Sequence, residues 1–175
     1  VSELKRLRRL VVRADDVAET FFHSLVGLTE LEELSIRQID LRGDGLTSLK
    51  HLTNLKRLHL SAYSDNSKPG YSSYKKKVKL LISDLPLLEE MSIRSDGATI
   101  ELHDLPRLKV LDASNNSVND KGFIGIDKLT SLETLHLKGC NRIGNDTLSK
   151  VGTLSHLKEL DLSLTRVTNE GISKL

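Results

Sequence analysis

The 175-residue chain has a single cysteine, Cys140, and so cannot form an internal disulfide. Small extracellular domains usually rely on several bridges, and this shortage favours a reducing, intracellular compartment. Long apolar runs are missing as well: none approaches the roughly 20 residues that a membrane-spanning helix requires. The chain opens at Val1 without a basic-then-apolar leader. Charge of one sign is also lacking, with 26 Lys+Arg against 24 Asp+Glu and a formal net charge of +2. That balance argues against a strongly polyanion-seeking protein. No GxxxxGK[ST] loop is present to cradle phosphates, and the histidines His23, His51, His59, His103, His136 and His156 are scattered without zinc-like spacing. No metal and no cofactor is expected.

What the chain has in quantity is leucine at fixed intervals. Aligning the first Leu of each LxxLxL unit gives Leu7, Leu31, Leu55, Leu88, Leu108, Leu132 and Leu157, at intervals of 24, 24, 33, 20, 24 and 25 residues. Self-similarity at this period is the signature of a solenoid. Within a unit such as "LETLHL", Leu135 and Leu137 alternate with Thr134, His136 and Lys138, the period of a strand with one buried and one wet face. After a polar break, "IGNDTLSKVGTL" spaces Ile143, Leu148, Val151 and Leu154 at roughly helical intervals, with Asn145 or Asp146 placed to accept from a helix start. The same strand, turn and helical return is expected around "VNDKGFIGIDKL", "VTNEGISKL", "LRGDGLTSLKHL" and "DDVAETFFHSLVGL".

No unit can bury its Leu face alone, so stacking on neighbours makes the core and joins the strands into a parallel sheet. Strands lie about 4.8 Å apart and packed helices about 8 to 10 Å. The body therefore bends with the strands on its inner wall. The fold class expected is α/β: a curved solenoid with a parallel β-sheet on the concave face and short helices or extended returns on the convex face. Residues 1–175 read as one domain of about seven repeats, and the residues at both ends, "VSEL" and "GISKL", suggest a segment of a longer protein.

These units resemble leucine-rich repeats. "LHLKGCNRIGNDTL" resembles the cysteine-containing class seen in many F-box proteins, and "LDLSLTRVTNEGISKL" resembles bacterial repeats ending TxVTDxGL. The resemblance implies a binding scaffold rather than an enzyme. It also implies a role for Cys140, since the family often places an inward Asn, Cys or Thr after the strand to satisfy buried turn groups. The equivalent positions here are Asp15, Ile39, Tyr63, Asp96, Asn116 and Thr165. Ile39 and Tyr63 break that pattern, so irregular geometry is expected in the amino-terminal half. The tempting catalytic pair, Cys140 and His136, is expected to be split between the inner and outer faces.

The period fails in two places. Both "KLLISDLP" and "TIELHDLP" read as matching extended returns, and the 33-residue interval leaves an insertion of about 13 residues at 64–76. Tyr71 and Tyr74 lie in it with Lys75 and Lys76, and Tyr63 lies beside it. Insertions in repeat proteins leave as loops on one face, often the binding face, and Tyr and Lys supply contact area and charge there.

Outward strand positions fall into three columns. The first holds Arg9, Glu33, Arg57, Glu90, Val110, Thr134 and Glu159; the second Val11, Ser35, His59, Ser92, Asp112, His136 and Asp161. The third holds Arg13, Arg37, Ser61, Arg94, Ser114, Lys138 and Ser163. Arg13, Arg37, Arg57, His59 and Arg94 make a basic patch, whereas Asp112, Asp161 and Glu159 make the far end acidic, and His136 and Asp161 are the partner-binding candidates there. The function expected is a non-enzymatic protein-protein interaction scaffold, whose partner carries an acidic surface met by the concave strands and the insertion. The alternatives are nucleic-acid or polyanion binding through the Arg/Lys surface, and a structural spacer.

Overall fold

A computed structural model describes residues 4–17, 20–39, 45–62, 79–95 and 98–175, with backbone alone at 14–17, 38, 39 and 62. In chain order the strands are β1 (Arg9–Val17), β2 (Glu33–Ile39), β3 (Arg57–Ala62), β4 (Lys79–Ile82), β5 (Glu90–Arg94), β6 (Thr99–Leu102), β7 (Val110–Asp112), β8 (Phe123–Ile124), β9 (Thr134–His136) and β10 (Glu159–Asp161). Short helices α1 (Thr20–Ser24), α2 (Asn145–Val151) and α3 (Asn169–Ile172) and two 3-10 segments, Gly45–His51 and Ile126–Lys128, complete the described elements.

The LxxL step builds every repeat in the same way. The second Leu of the pair donates its backbone N–H to the carbonyl of the first, at 3.0 Å from Leu31 to Leu28, 2.9 Å from Leu132 to Leu129 and 3.0 Å from Leu157 to Leu154. That tight turn delivers the chain into a strand whose alternate residues point inward. Strands β1, β2, β3, β5, β7, β9 and β10 pair in that order as one parallel seven-stranded sheet. The register runs straight across, Arg9 to Glu33, Arg57, Glu90, Val110, Thr134 and Glu159. The inward rows Leu34, Leu58, Met91, Leu111, Leu135 and Ile36, Leu60, Ile93, Ala113, Leu137 are buried, with the LxxL leucines beneath them. Each fully buried Leu or Ile stabilises the fold by about 1.5 to 3 kcal/mol.

The convex returns are of two kinds. Strands β4, β6 and β8 form a second parallel sheet, so "KLLISDLP" and "TIELHDLP" return as extended segments, as the matching "DLP" endings suggested. The third member is a departure. "VNDKGFIGIDKL" was expected to return as a helix, but Phe123 and Ile124 pair with Ile100 and Glu101 of β6 before a brief 3-10 turn. Gly122 and Gly125 bracket the pair and disfavour a helix, while β6 offers free backbone groups. Gly125 is required where it stands: its φ is +83°, and a Cβ there would lie 2.0 Å from the Leu102 carbonyl oxygen. "LRGDGLTSLKHL" is also tighter than expected, with a 3-10 helix over Gly45–His51. Stacked strands in both layers share one spacing, so the geometric cause of bending is weakest across β4, β6 and β8. It is strongest where α2 packs on α3.

Helix capping reaches across repeats. The N-cap of α2 is Gly144, which has no side chain to offer. Asp120, one repeat earlier, accepts from the Gly144 N–H at 2.9 Å, the Thr147 N–H at 3.2 Å and the Thr147 hydroxyl at 2.6 Å. Asn145, the equivalent residue one repeat later, accepts from the Thr168 N–H at 3.1 Å and donates to its hydroxyl at 2.9 Å. Asn145 and Asp146 were read as caps of their own helix; instead the previous repeat caps the next, because the stacked turns bring that side chain within reach.

Candidate binding face

The turn after each concave strand settles the place of Cys140. Its thiol is fully buried and donates to the Ala113 carbonyl at 3.0 Å, and burial raises its pKa. Asn116 fills the equivalent place one repeat earlier, accepting from the Ser95 N–H at 2.6 Å and donating to the carbonyls of Ile93 and Ala113 at 2.7 Å each. Thr165 donates to the Leu162 carbonyl at 2.7 Å. Tyr63 and Asp96 lie outside the described residues, and Asp15 and Ile39 fall inside β1 and β2. The strand register shifts between Arg13 and Val17 and again between Arg37 and Ile39, the irregularity expected of the amino-terminal half. Cys140 and His136 do not converge: the imidazole Nε2 lies on the opposite, outer face, 3.0 Å from the Glu159 carboxylate.

The strand register brings the outward residues into the three columns. The first column is largely satisfied within the protein. Glu33 accepts from Arg9 Nε at 2.8 Å and from Arg57 Nη2 at 3.1 Å, and these two guanidiniums hold its carboxyl below the usual range, Arg9 foremost. Just before the strands runs a row of alternating sign, Arg8, Glu32, Lys56, Glu89, Lys109, Glu133 and Lys158. Lys56 Nζ lies 2.9 Å from Glu32, with Arg8 at 3.8 Å on the other side, and Lys158 Nζ lies 2.7 Å from Glu133. The hydrogen bond from Lys56 depresses the Glu32 pKa, and that from Lys158 depresses the Glu133 pKa. The backbone carbonyls of the same row, from Arg8 to Glu133, each accept two N–H groups of the next repeat. The alternation stands in the sequence one residue past each repeat Leu, a signal that a search for outward columns overlooks.

The second and third columns lie beside these pairs. Arg13, Arg37 and Arg94 are exposed on β1, β2 and β5, with His59 half-buried between the last two on β3. Arg57 of the same patch is engaged by Glu33. Over β7 to β10 the second column reads Asp112, His136 and Asp161. Asp112 Oδ1 accepts from the Ser114 N–H, and Asp161 Oδ1 from the Ser163 N–H, both at 2.9 Å. Hydrogen bonds from Ser163, its side chain first, keep the Asp161 pKa low, with smaller help from Lys138 and His136. Tyr71, Tyr74, Lys75 and Lys76 lie outside the described residues, as does the whole 64–76 insertion between β3 and β4.

The convex sheet carries one ionic cluster of its own. Glu101 on β6 is held by the Lys79 ammonium, which covers its buried Oε2, and by His103 Nε2 at 2.9 Å from Oε1. Lys79 is the larger cause of its lowered pKa. Among the described residues no helix is long and apolar enough to cross a membrane, and no cluster of three or more His, Cys, Asp or Glu gathers as a metal site.

Comparison with known proteins follows the same lines. Residues 106–151 match a model of Leucine Rich repeats (2 copies), and residues 153–175 match a second Leucine Rich repeat model. A Caenorhabditis elegans protein named "Putative RNA-binding protein EEED8.10" is 31% identical over 159 residues, which cover 82% of this chain and 21% of that protein. The chain therefore spans about a fifth of that relative's length. Among solved structures, an internalin (inlF) of Listeria monocytogenes matches with a TM-score of 0.64 at 21% identity, covering 99% of this chain and 47% of that one. Internalin C2 of the same organism matches with a TM-score of 0.59 at 19% identity, covering 96% and 66%. These two likenesses are likenesses of fold.

Proposed function

We propose that this leucine-rich repeat solenoid is a non-enzymatic scaffold that binds a protein partner through its concave sheet and the 64–76 insertion. Leucine-rich repeat proteins generally act in protein-protein interaction. The observation that carries the reading is the division of charge on the sheet. Arg9, Glu33 and Arg57 of the first column are neutralised by one another, while Arg37 and Arg94 stand exposed on a rigid β framework. Guanidiniums held on such a framework suit bidentate contact with carboxylates. The sequence of the insertion and its edge supplies three tyrosines, a residue type that offers amphipathic contact area. The inward Cys140 and Asn116 further support assignment to the cysteine-containing class of these repeats.

The test is capture from lysate with four baits: the intact chain, a concave-blocked His59→Trp/Ser92→Trp variant, a convex control Ile124→Lys, and a chain lacking residues 64–76. A protein retained by the intact chain and the convex control but lost from the concave-blocked bait is the expected result. Equal capture by all four baits overturns it.

A second reading has one observation in its favour, the printed name of the Caenorhabditis elegans relative. The third column, in which every position is Arg, Lys or Ser, is the surface an RNA backbone would use. Capture abolished by ribonuclease, with steep loss in salt, would favour that reading.

A further inference from the structure

Of the charges facing the concave side, Arg9, Glu33 and Arg57 in the first column pair with one another, as do Arg8, Glu32 and Lys56, and Glu133 and Lys158, in the row before it. What remains is sorted by position along the solenoid. Over β2 to β5, the second and third columns hold Arg37, His59 and Arg94 with no acid among them. Over β7 to β10 the same columns hold Asp112 and Asp161 against Lys138, with His136 drawn to Glu159 of the first column. Both Asp112 and Asp161 use Oδ1 on a backbone N–H of their own turn, which fixes each carboxylate in place. The face is a rigid dipole, with its change of sign between β5 and β7.

We infer that the concave sheet takes one protein segment laid across the strands, acidic where it crosses Arg37 and Arg94 and basic where it crosses Asp112 and Asp161. This rests on the reading of the concave face as the protein-binding face and adds to it the charge order of the occupant. Arg37 and Arg94 stand two strands apart, as do Asp112 and Asp161. Each like-signed pair is therefore separated by about 10 Å at roughly 4.8 Å per strand, the spacing to be matched by two charges of the partner. A segment entering in the reverse sense would set acid over acid and base over base. The dipole thus fixes direction as well as choice of partner. A uniformly anionic ligand such as an RNA backbone meets attraction on one half and repulsion on the other.

The test uses the full 175-residue chain and fluorescence anisotropy with four probes: a synthetic peptide having a Glu-rich half and a Lys-rich half, an all-Glu peptide, an all-Lys peptide and oligo-uridine RNA. The two-signed peptide is expected to bind roughly tenfold more tightly than any of the others. R37E/R94E should abolish that preference and shift binding toward the all-Lys peptide; D112K/D161K should shift it toward the all-Glu peptide. All four charge positions are exposed or half-buried, and circular dichroism checks that both variants fold. Equal binding of the all-Glu and two-signed peptides, tightest binding of RNA, or indifference to D112K/D161K overturns the charge order. If the blocked-bait experiment still loses its protein in that case, the interaction face stands and only the dipole falls. If neither responds, both fall.

Discussion

Strands β1 and β2 run for nine and seven residues, whereas β7, β9 and β10 run for three each, although all five belong to one sheet. The difference follows the residue at the turn. In the carboxy-terminal half Asn116, Cys140 and Thr165 send a side chain to backbone carbonyls and give the chain a reason to leave the sheet. In the amino-terminal half the equivalent positions, Asp15 and Ile39, stand inside longer strands whose register shifts near the same points. Strand length in this solenoid is set by what catches the turn, because buried carbonyls must find donors somewhere. The hydrophobic step before the strand does not differ between the halves.

Breaking the shared part should cost most. Leu34→Ala and Leu135→Ala, both fully buried, should each lower unfolding free energy by about 2 to 5 kcal/mol in urea titration. Similar values would show one core running through both halves, and a near-neutral result at either site would refute its inward placement. Next comes Asn116→Ala, which strips partners from the Ser95 N–H and the Ile93 carbonyl and should cost about 3 kcal/mol. Hydrogen exchange at Ser95 should accelerate with it, while amides of β1 and β2 stay unchanged. An equal response in β1 and β2 would erase the distinction between the halves.

A gain is expected at Leu164. Asn115, Gly139 and Leu164 hold equivalent left-handed turns, with φ of 56°, 75° and 58°. Asn and Gly tolerate that conformation, but Leu does not, and this one is 75% exposed with little packing to compensate. Leu164→Gly should raise unfolding free energy by about 1 kcal/mol, and no gain would mean that Leu164 packs where it is. The smallest effect belongs to the convex cluster. Glu101 has a folded pKa below its unfolded value, so its contribution is present above about pH 4.3 and fades as pH falls through the lower folded value. The difference in denaturation midpoint between the wild-type chain and Glu101→Gln should therefore be visible at about pH 7 and shrink steadily as the medium is acidified below the unfolded value. A difference that persists in acid would assign the effect to packing instead.

Much of this was legible because each element repeats its own signal. Leu at LxxLxL positions set the rows, and Glu33 beside Arg9 and Arg57 followed from register alone. The extended returns over β4 and β6 announced themselves in paired "DLP" endings, but Phe123 and Ile124 joined them without that mark. Their conformation depends on β6 having a free edge, which no local pattern records. The caps misled for a similar reason: Asp120 serves Thr147, 27 residues later, and a helix-start signal is sought within four. The neutralisation of Arg57 lies in the first column itself, where Arg9, Glu33 and Arg57 alternate in sign on adjacent strands, and grouping Arg57 with the third-column arginines obscured it.

The sequence by itself determined the period, the inward and outward faces and the order of charges across the sheet, since side-chain alternation and repeat spacing are properties of the chain's own geometry. Only the tertiary structure decided which charges cancel, which turn groups are capped from a neighbouring repeat and which return lies flat as a strand. Those outcomes depend on atoms some 24 residues away in sequence that stacking brings within hydrogen-bond distance.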